Sequence, residues 1–274
     1  MKWTNMDIEL LNDTTKTLSE ISCITGHTYR ACATMSNRLG LPDRRRITET
    51  LIRRCKTRYN EHTAKYPIVL SSQQKSLLVG SVLGDASLIP TGGKFISNAY
   101  YSCSHCKKQF WYLFHKYEVM KPFSNKINDY YARCLNNKYE TYNFYTVTHP
   151  IFRSYYDLFY NNRKVVPYDI ENVIDTDSIC YWILDDGSLH INKNGSPYYR
   201  IHSMSFSKKE NNILQNVLKS FDIQSSISPV NRGFGFMLCI YSNSAYIVSE
   251  LLLDLINRYK CLDCMRYKII GGDV

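Results

Sequence analysis

The 274-residue chain has no stretch near the roughly 18 consecutive apolar residues that a membrane-spanning helix needs. Its first residues, MKWTNMDIELLND, carry acids and no apolar core region, so they do not read as a secretory leader. Acidic charge is also short: 24 Asp and Glu stand against 34 Lys and Arg, a formal net charge of +10. The expectation is a soluble, intracellular, monomeric protein without a membrane partner. The basic excess suits a polyanionic partner, because Lys and Arg release condensed counterions when they neutralise phosphates. Ten cysteines are present, but without a leader they read as thiols in a reducing compartment and not as a disulfide framework. Cys103/Cys106 and Cys261/Cys264 form two C-x-x-C pairs; the distance between them far exceeds that of a compact zinc ribbon, and zinc has no part in the expected mechanism. A chain of this length suits two or three domains.

One segment recurs. LLVGSVLGDASLI, starting at Leu77, reappears in altered form as SICYWILDDGSLHI, starting at Ser178. Each copy is an apolar, helix-like run ending in an acid and a small residue. Asp85 and Asp186 lie 186 − 85 = 101 residues apart, the length of a domain-sized unit. Two carboxylates at equivalent points of a repeat predict a pseudo-symmetric site with one acid from each half. Apolar periodicity and turn residues extend the repeat in both directions. The first half reads as a helix over 73–85, a hairpin turning at Pro90-Thr-Gly-Gly, a helix over 107–119, a second hairpin including 142–148 and a helix near 151–160. The second reads as a helix ending at Asp186, a turn at Asn194-Gly195, a strand over 198–206, a helix over 208–221, a hairpin at Arg232-Gly233 and a helix over 244–259. Both halves are therefore α-β-β-α-β-β-α, with lysines 107/108 and 208/209 at matching places.

The pattern resembles the LAGLIDADG family of homing endonucleases, and most closely its single-chain, two-motif members. The eighth motif position, the metal-binding acid, falls on Asp85 and Asp186. The third, often Gly so that two helices can touch, is Gly80 in one copy and the bulky Tyr181 in the other. The resemblance implies an α+β fold with two αββαββα repeats forming a pseudo-two-fold saddle, over residues 71–162 and 178–274, joined by a linker at 163–177. It implies a site-specific double-strand DNA endonuclease that uses Mg²⁺ or Mn²⁺ bound by Asp85 and Asp186, with the main-chain carbonyls of Gly84 and Asp185 completing the ligands. Asp185 itself is assigned a supporting or capping place beside the matched acid. Lys164, in NRKVVP, and Lys268, in MRYKI, resemble the lysine segments that flank the family's active sites. Ser102 and His202 fall near polar strand positions beside the scissile phosphate. Two other functions fit the family: a maturase acting on intron RNA, and a regulator that binds DNA without cutting. Intact acids in both motifs favour cleavage.

Residues 1–65 precede the repeats and predict a small all-α domain. Segment 18–42 has two short helices about Gly26, with Ile21 and Ile24 inward on the first and Cys32, Met35 and Leu39 inward on the second. Ser22 four residues before the glycine and Cys32 six after it fit a helix-turn-helix. Arg30 and Arg38, with Thr28, Tyr29 and Thr34, are then exposed on the recognition helix, and Arg44, Arg45 and Arg46 add charge. In the repeats, Lys94, Asn98, Tyr100, Ser102, Asn143, Tyr145, Arg200, His202, Asn231 and Arg232 are the candidate DNA-facing strand residues, since an antiparallel ribbon can enter the major groove.

Overall fold

Thr4 and Asp7 start the first helix as a reciprocal cap, each side chain accepting from the other's backbone N–H, at 3.2 and 2.8 Å. The computed structural model describes residues 3–13, 16, 18–41, 61, 63–93, 96–134, 137–230 and 235–272. These fall into two units, Met1–Glu61 and His62–Val274, with separate apolar cores. Among its described residues the first unit is all helical: α1 (Asn5–Asn12), α2 (Leu18–Thr25) and α3 (Tyr29–Arg38). Gly26 makes the α2–α3 turn at φ +70°, a value that glycine adopts without strain. The Ser22 hydroxyl donates to the His27 carbonyl across that turn at 2.7 Å. Leu11, Leu18, Ile21 and Cys32 are the core. Two residues assigned inward are not: Ile24 and Leu39 are 55% and 42% exposed. The core is too small to take in either side chain, and α1, which periodicity does not predict, contributes Leu11 to it.

In the second unit, Ser71 and Gln74 cap α4 (Ser72–Leu83) in the same reciprocal way. Then follow β1 (Ser87–Gly93), β2 (Ile96–Cys106), α5 (Phe110–Val119), β3 (Asn128–Cys134), β4 (Asn137–Tyr145) and α6 (Pro150–Phe159). Two-residue strands β5 (Tyr160–Asn161) and β6 (Arg163–Lys164) form a small hairpin. The second half runs α7 (Thr176–Asp186), β7 (Gly187–Ile191), β8 (Pro197–Ile201), α8 (Lys208–Ser220), β9 (Ser225–Pro229), β10 (Phe236–Ile240) and α9 (Ser242–Arg258), and closes on 3₁₀ turns at Lys260–Lys268. The sheets share one topology, β1-β2-β4-β3 and β7-β8-β10-β9, antiparallel throughout. The α+β, twice-repeated αββαββα expectation describes this unit. Two strands end earlier than expected: β4 stops at Tyr145 and β8 stops at Ile201. Beyond β8, buried Asn211 draws the chain into turns: its amide donates to the carbonyls of Ser203, Phe206 and Ser207, and its Oδ1 accepts from the Ser203 hydroxyl.

A helix apolar on every side must be buried on every side. In α7, Ser178 through Leu184 are all buried, and in α4 burial runs through both faces. The two helices pack directly together, and Gly80 is what lets them. A Cβ at Gly80 would lie 2.2 Å from the Ser178 carbonyl oxygen and 2.8 Å from Tyr181 Cβ. Tyr181 is accommodated because its ring leaves the contact; its hydroxyl reaches His115 Nε2 at 2.8 Å. Gly80→Ala is expected to cost about 3 kcal/mol, the upper part of the overpacking range, because the obstructing atom is backbone. A thermal melt should fall by roughly 10 °C for a unit of this size. An unchanged midpoint would show that the helices can separate at no cost.

The segment between the halves is anchored at Glu210. Its carboxylate accepts from Arg163 Nη2 at 2.7 Å, from the Val166 N–H at 3.1 Å and from the Ser207 N–H at 2.7 Å. Burial works against the charge, yet the Arg163 and Ser207 hydrogen bonds bring the carboxyl down to about 2. This anchor fixes β6 and therefore Lys164.

Candidate active site

The C-terminal ends of α4 and α7 meet at Gly84 and Asp185. A Cβ at Gly84 would lie 2.4 Å from Asp185 Cβ, so the first motif needs glycine where the second carries an acid. One residue further on, each helix end presents a carboxylate, Asp85 and Asp186. Asp85 has a side chain 46% exposed. Partial desolvation, then the charge of Asp185, hold its carboxyl above the usual carboxylate range. Asp186 is more strongly affected: burial first, then repulsion by Asp85 and Asp185, push it up to about 8. No hydrogen bond or ion pair reaches the Asp186 carboxylate among the described residues. The charge of Asp85 thus destabilises the charged form of Asp186.

Two lysines cap the same helix ends. Lys164, on β6, donates to the Gly84 carbonyl at 3.0 Å and to that of Ala86 at 2.8 Å. Lys268, at the end of the C-terminal 3₁₀ turns, donates to the carbonyls of Leu184 at 2.5 Å and Asp185 at 3.3 Å. A cation at a helix C-terminus is favoured by the helix dipole and satisfies carbonyls that lack an intrahelical partner. Burial lowers both lysines, Lys268 to about 8. The carbonyls of Gly84 and Asp185, assigned as metal ligands, are among these acceptors, and each keeps a second lone pair.

Asp185 is unlike its neighbours, because its side chain is fully buried. Its Oδ1 accepts from Lys116 Nζ at 2.6 Å and Tyr112 Oη at 2.7 Å, and its Oδ2 accepts from the Asp85 N–H at 3.3 Å. Burial opposes its charge, but Lys116 keeps the carboxyl below its ordinary value. Lys116 is held above the usual lysine value by Asp185, against the effect of its own burial. His105, buried and close to Lys116, is driven down to about 3 and is neutral. Asp85, His105 and Asp185 offer ligand atoms within 4.8 Å of one another, a candidate metal site. Lys116, Tyr112 and His105 are absent from the sequence reading. The available cue was a lysine in the mostly aromatic and apolar helix FWYLFHKYEV, four residues after a tyrosine on the same face.

The candidate DNA contacts separate by strand parity. On β2, Ala99, Tyr101, Cys103 and His105 point to the core, while Tyr100 and Ser102 are half-buried on the other face. Tyr145 is exposed and edge-on to Tyr100 at 6.0 Å, and it sits opposite Ser102 in register. Asn143 is half-buried and accepts from Asn128 at 3.3 Å. Asn98 is the exception: it shares the outer parity but is only 3% exposed. There the chain after β4 runs beside β2, with the Thr146 and His149 N–H groups donating to the carbonyls of Tyr101 and Ala99. On β8, Arg200 lies over the Tyr198 ring at 5.3 Å; just past its end, exposed His202 has its Nε2 3.1 Å from the Ser188 hydroxyl. That hydroxyl also lies 2.9 Å from His190 Nε2; neither Ser188 nor His190 was singled out by sequence. Arg30 and Arg38 are exposed on α3. Arg44, Arg45, Arg46, Lys94, Asn231 and Arg232 lie outside the described residues.

Comparison with known proteins agrees with this arrangement. The model of the LAGLIDADG DNA endonuclease family matches residues 75–247. The chain is 28% identical over 221 residues to the DNA endonuclease I-ChuI of Chlamydomonas applanata, covering 74% of this chain and 97% of that protein. It is 28% identical over 208 residues to the probable intron-encoded endonuclease 1 of Wickerhamomyces canadensis, covering 73% and 85%. In fold it is similar to the homing endonuclease I-WcaI, solved bound to its DNA recognition sequence, with a TM-score of 0.62 at 24% identity over 87% of this chain and 98% of that one. With two repeats built alike and an acid at each motif helix end, the chain belongs to the LAGLIDADG DNA endonuclease family.

Proposed function

We propose that this protein is a site-specific homing endonuclease that, as a monomer, hydrolyses one phosphodiester in each strand of double-stranded DNA. The observation that carries the reading is the pairing of Asp85 and Asp186 at two touching helix ends, each end capped by its own lysine. Both centres lie within one chain, so a second copy is not required. The donor set fits a divalent cation, Mg²⁺ or Mn²⁺: two oxygen ligands that repel one another in a partly desolvated place, with main-chain carbonyls adjacent. Asp85 and Asp186 would hold it, with the Gly84 and Asp185 carbonyls. When bound, the cation supplies charge neutralisation at phosphorus and activation of water. Lys164 and Lys268 fix the helix-end carbonyls and add positive charge where the phosphorane-like transition state gathers negative charge. The outer faces of the two sheets, with Tyr100, Ser102, Asn143, Tyr145, Arg200 and His202, seat the duplex and read base edges.

The test is cleavage selection from a randomised duplex pool with Mg²⁺. Recovery of one long site cut on both strands is expected. Binding without any cut product would favour a regulator, and rescue of intron splicing without cutting would favour a maturase. No helix among the described residues is long and apolar enough to cross a membrane.

The helical unit, residues 1–65 in this reading, is proposed to extend the contact with DNA. Arg30, Thr34 and Arg38 lie along one side of α3 and, with Trp3, line a groove of about 400 Å³. A chain starting at Tyr66 keeps the whole second core, so it should fold and cut the selected site. Its footprint should be shorter. Its affinity should depend less steeply on salt, the log–log slope falling by about one per lost phosphate contact. Equal footprints and slopes for both proteins would leave the unit without a role on DNA.

A further inference from the structure

The network around Asp185 is built only once. Among the described residues, the side chains that hold its carboxylate, Lys116 and Tyr112, and the nearby His105 all come from the first half, while Asp185 comes from the second. The repeat offset of 101 residues carries Lys116 to Val217 and Tyr112 to Ile213, both apolar, and Asp185 itself back to Gly84. The second half therefore has no counterpart of the cluster. Its geometry leads to the first motif acid: Asp185 Oδ2 accepts the Asp85 N–H at 3.3 Å, and His105, 3.8 Å from Asp185 Oδ1, sits with Nδ1 3.9 Å from the Asp85 carboxylate. His105 is itself fixed by Gln109 Oε1 at 3.2 Å, and its Nε2 is buried with no hydrogen-bond partner. Lys116 is fully buried, and apart from Asp185 it meets Cys103 Sγ at 3.7 Å and the Tyr112 ring at 4.3 Å. A buried ion pair of this kind is a poor source of stability, because desolvation offsets the attraction. Apolar side chains in the matching place of the second half do the packing without it.

We propose that Asp185, held by Lys116 and Tyr112, is a positioning residue for the Asp85 centre, making the two cleavage centres chemically unequal so that the two strands are cut at different rates. Asp185 touches no substrate; it acts by fixing the backbone of Asp85 through the Asp85 N–H. The Asp186 end receives no such support. This proposal rests on the endonuclease reading.

The experiment uses the full chain and a supercoiled plasmid carrying a site recovered by cleavage selection with the wild-type protein. Rates for each strand are followed on the same site in an end-labelled linear duplex. Wild type should pass through a nicked circle nicked predominantly in one strand. Asp185→Asn alone leaves Lys116 buried without its counter-charge, so the variant to use is Asp185→Asn with Lys116→Met, which removes both charges. It should slow one strand tenfold or more and the other less than threefold, changing the strand-rate ratio while DNA affinity holds. Tyr112→Phe, which deletes one hydroxyl and keeps the charge pair, should move the ratio in the same direction by a smaller factor, and it decides the matter if the double variant does not fold. Equal slowing of both strands, or no slowing, overturns the positioning role. A wild-type protein that cuts no site at all instead overturns the endonuclease reading.

Discussion

Asp186→Asn is expected to abolish cutting of both strands and, in the metal-free protein, to raise thermal stability at pH 8. Asp85→Asn should abolish cutting as well. Each substitution removes one charged oxygen ligand and adds no bulk. A cation that stabilises transition-state charge contributes several kcal/mol, so losing its anchor should slow cleavage by at least about 1,000-fold. Affinity for the selected duplex should stay within about threefold, because the strand faces that meet DNA are untouched. The stability half follows from the sign of the pKa shift. Burial and the charges of Asp85 and Asp185 raise the Asp186 carboxyl to about 8 in the folded chain. A raised carboxyl contributes stability that is complete below the ordinary carboxylate value and lost as pH climbs through the folded one. The metal-free wild type should accordingly melt at lower temperature as pH rises from about 4 to 8, and Asp186→Asn should flatten that dependence. Strained electrostatics of this kind are how a binding site trades stability for function. Cleavage by either variant at near wild-type rate with Mg²⁺ would remove that residue from the metal-binding role. A pH-melting curve unchanged in Asp186→Asn would mean that its carboxyl is not the one under strain.

The repeat made the architecture legible. The apolar runs that end in Gly84-Asp85-Ala86 and Asp185-Asp186-Gly187 read as helices, and helices apolar on every side have to be buried on every side. Strand alternation then gave the sheet faces, because successive side chains of a strand must alternate. Parity does not say which positions of a face stay open, and Asn98, at an outer position of β2, is only 3% exposed. β8 was read too long because the agent that ends it is Asn211, on the next helix. The environment of Asp185 was illegible for the same reason. Its neighbours Lys116 and Tyr112 on α5 and His105 on β2 lie 69, 73 and 80 residues earlier in the chain and approach only once the first half packs on the motif helices. Ile24 and Leu39 were placed inward by helical spacing, which fixes a direction on the helix but not whether a core exists to receive it. Lys164 and Lys268 were singled out through resemblance alone, as no local pattern distinguishes them from surface lysines.

Removal of those lysines carries the second large effect. Lys164→Ala and Lys268→Ala should each lower the single-turnover cleavage rate by about 100-fold, the lower end of what one preorganised donor contributes to charge stabilisation in a transition state. Lys268 is 6% exposed, and burial lowers it to about 8, so its ammonium is held where water cannot easily replace it. Its loss strips the Leu184 and Asp185 carbonyls of their donor beside Asp186, as loss of Lys164 strips Gly84 and Ala86 beside Asp85. Lys268→Met, which keeps the length of the side chain and fills the same space, separates charge from packing: it should melt like wild type and still cut slowly. Affinity for the uncut duplex should change less than fivefold in all three variants, because Lys268 is buried and Lys164 directs two donors to backbone carbonyls. If binding weakens in proportion and the single-turnover rate holds, the two lysines are phosphate clamps and the transition-state assignment fails. If Lys164→Ala is slow and Lys268→Ala is not, only the Asp85 end depends on its helix cap, and the two centres differ in their lysines as well as in the Asp185 network.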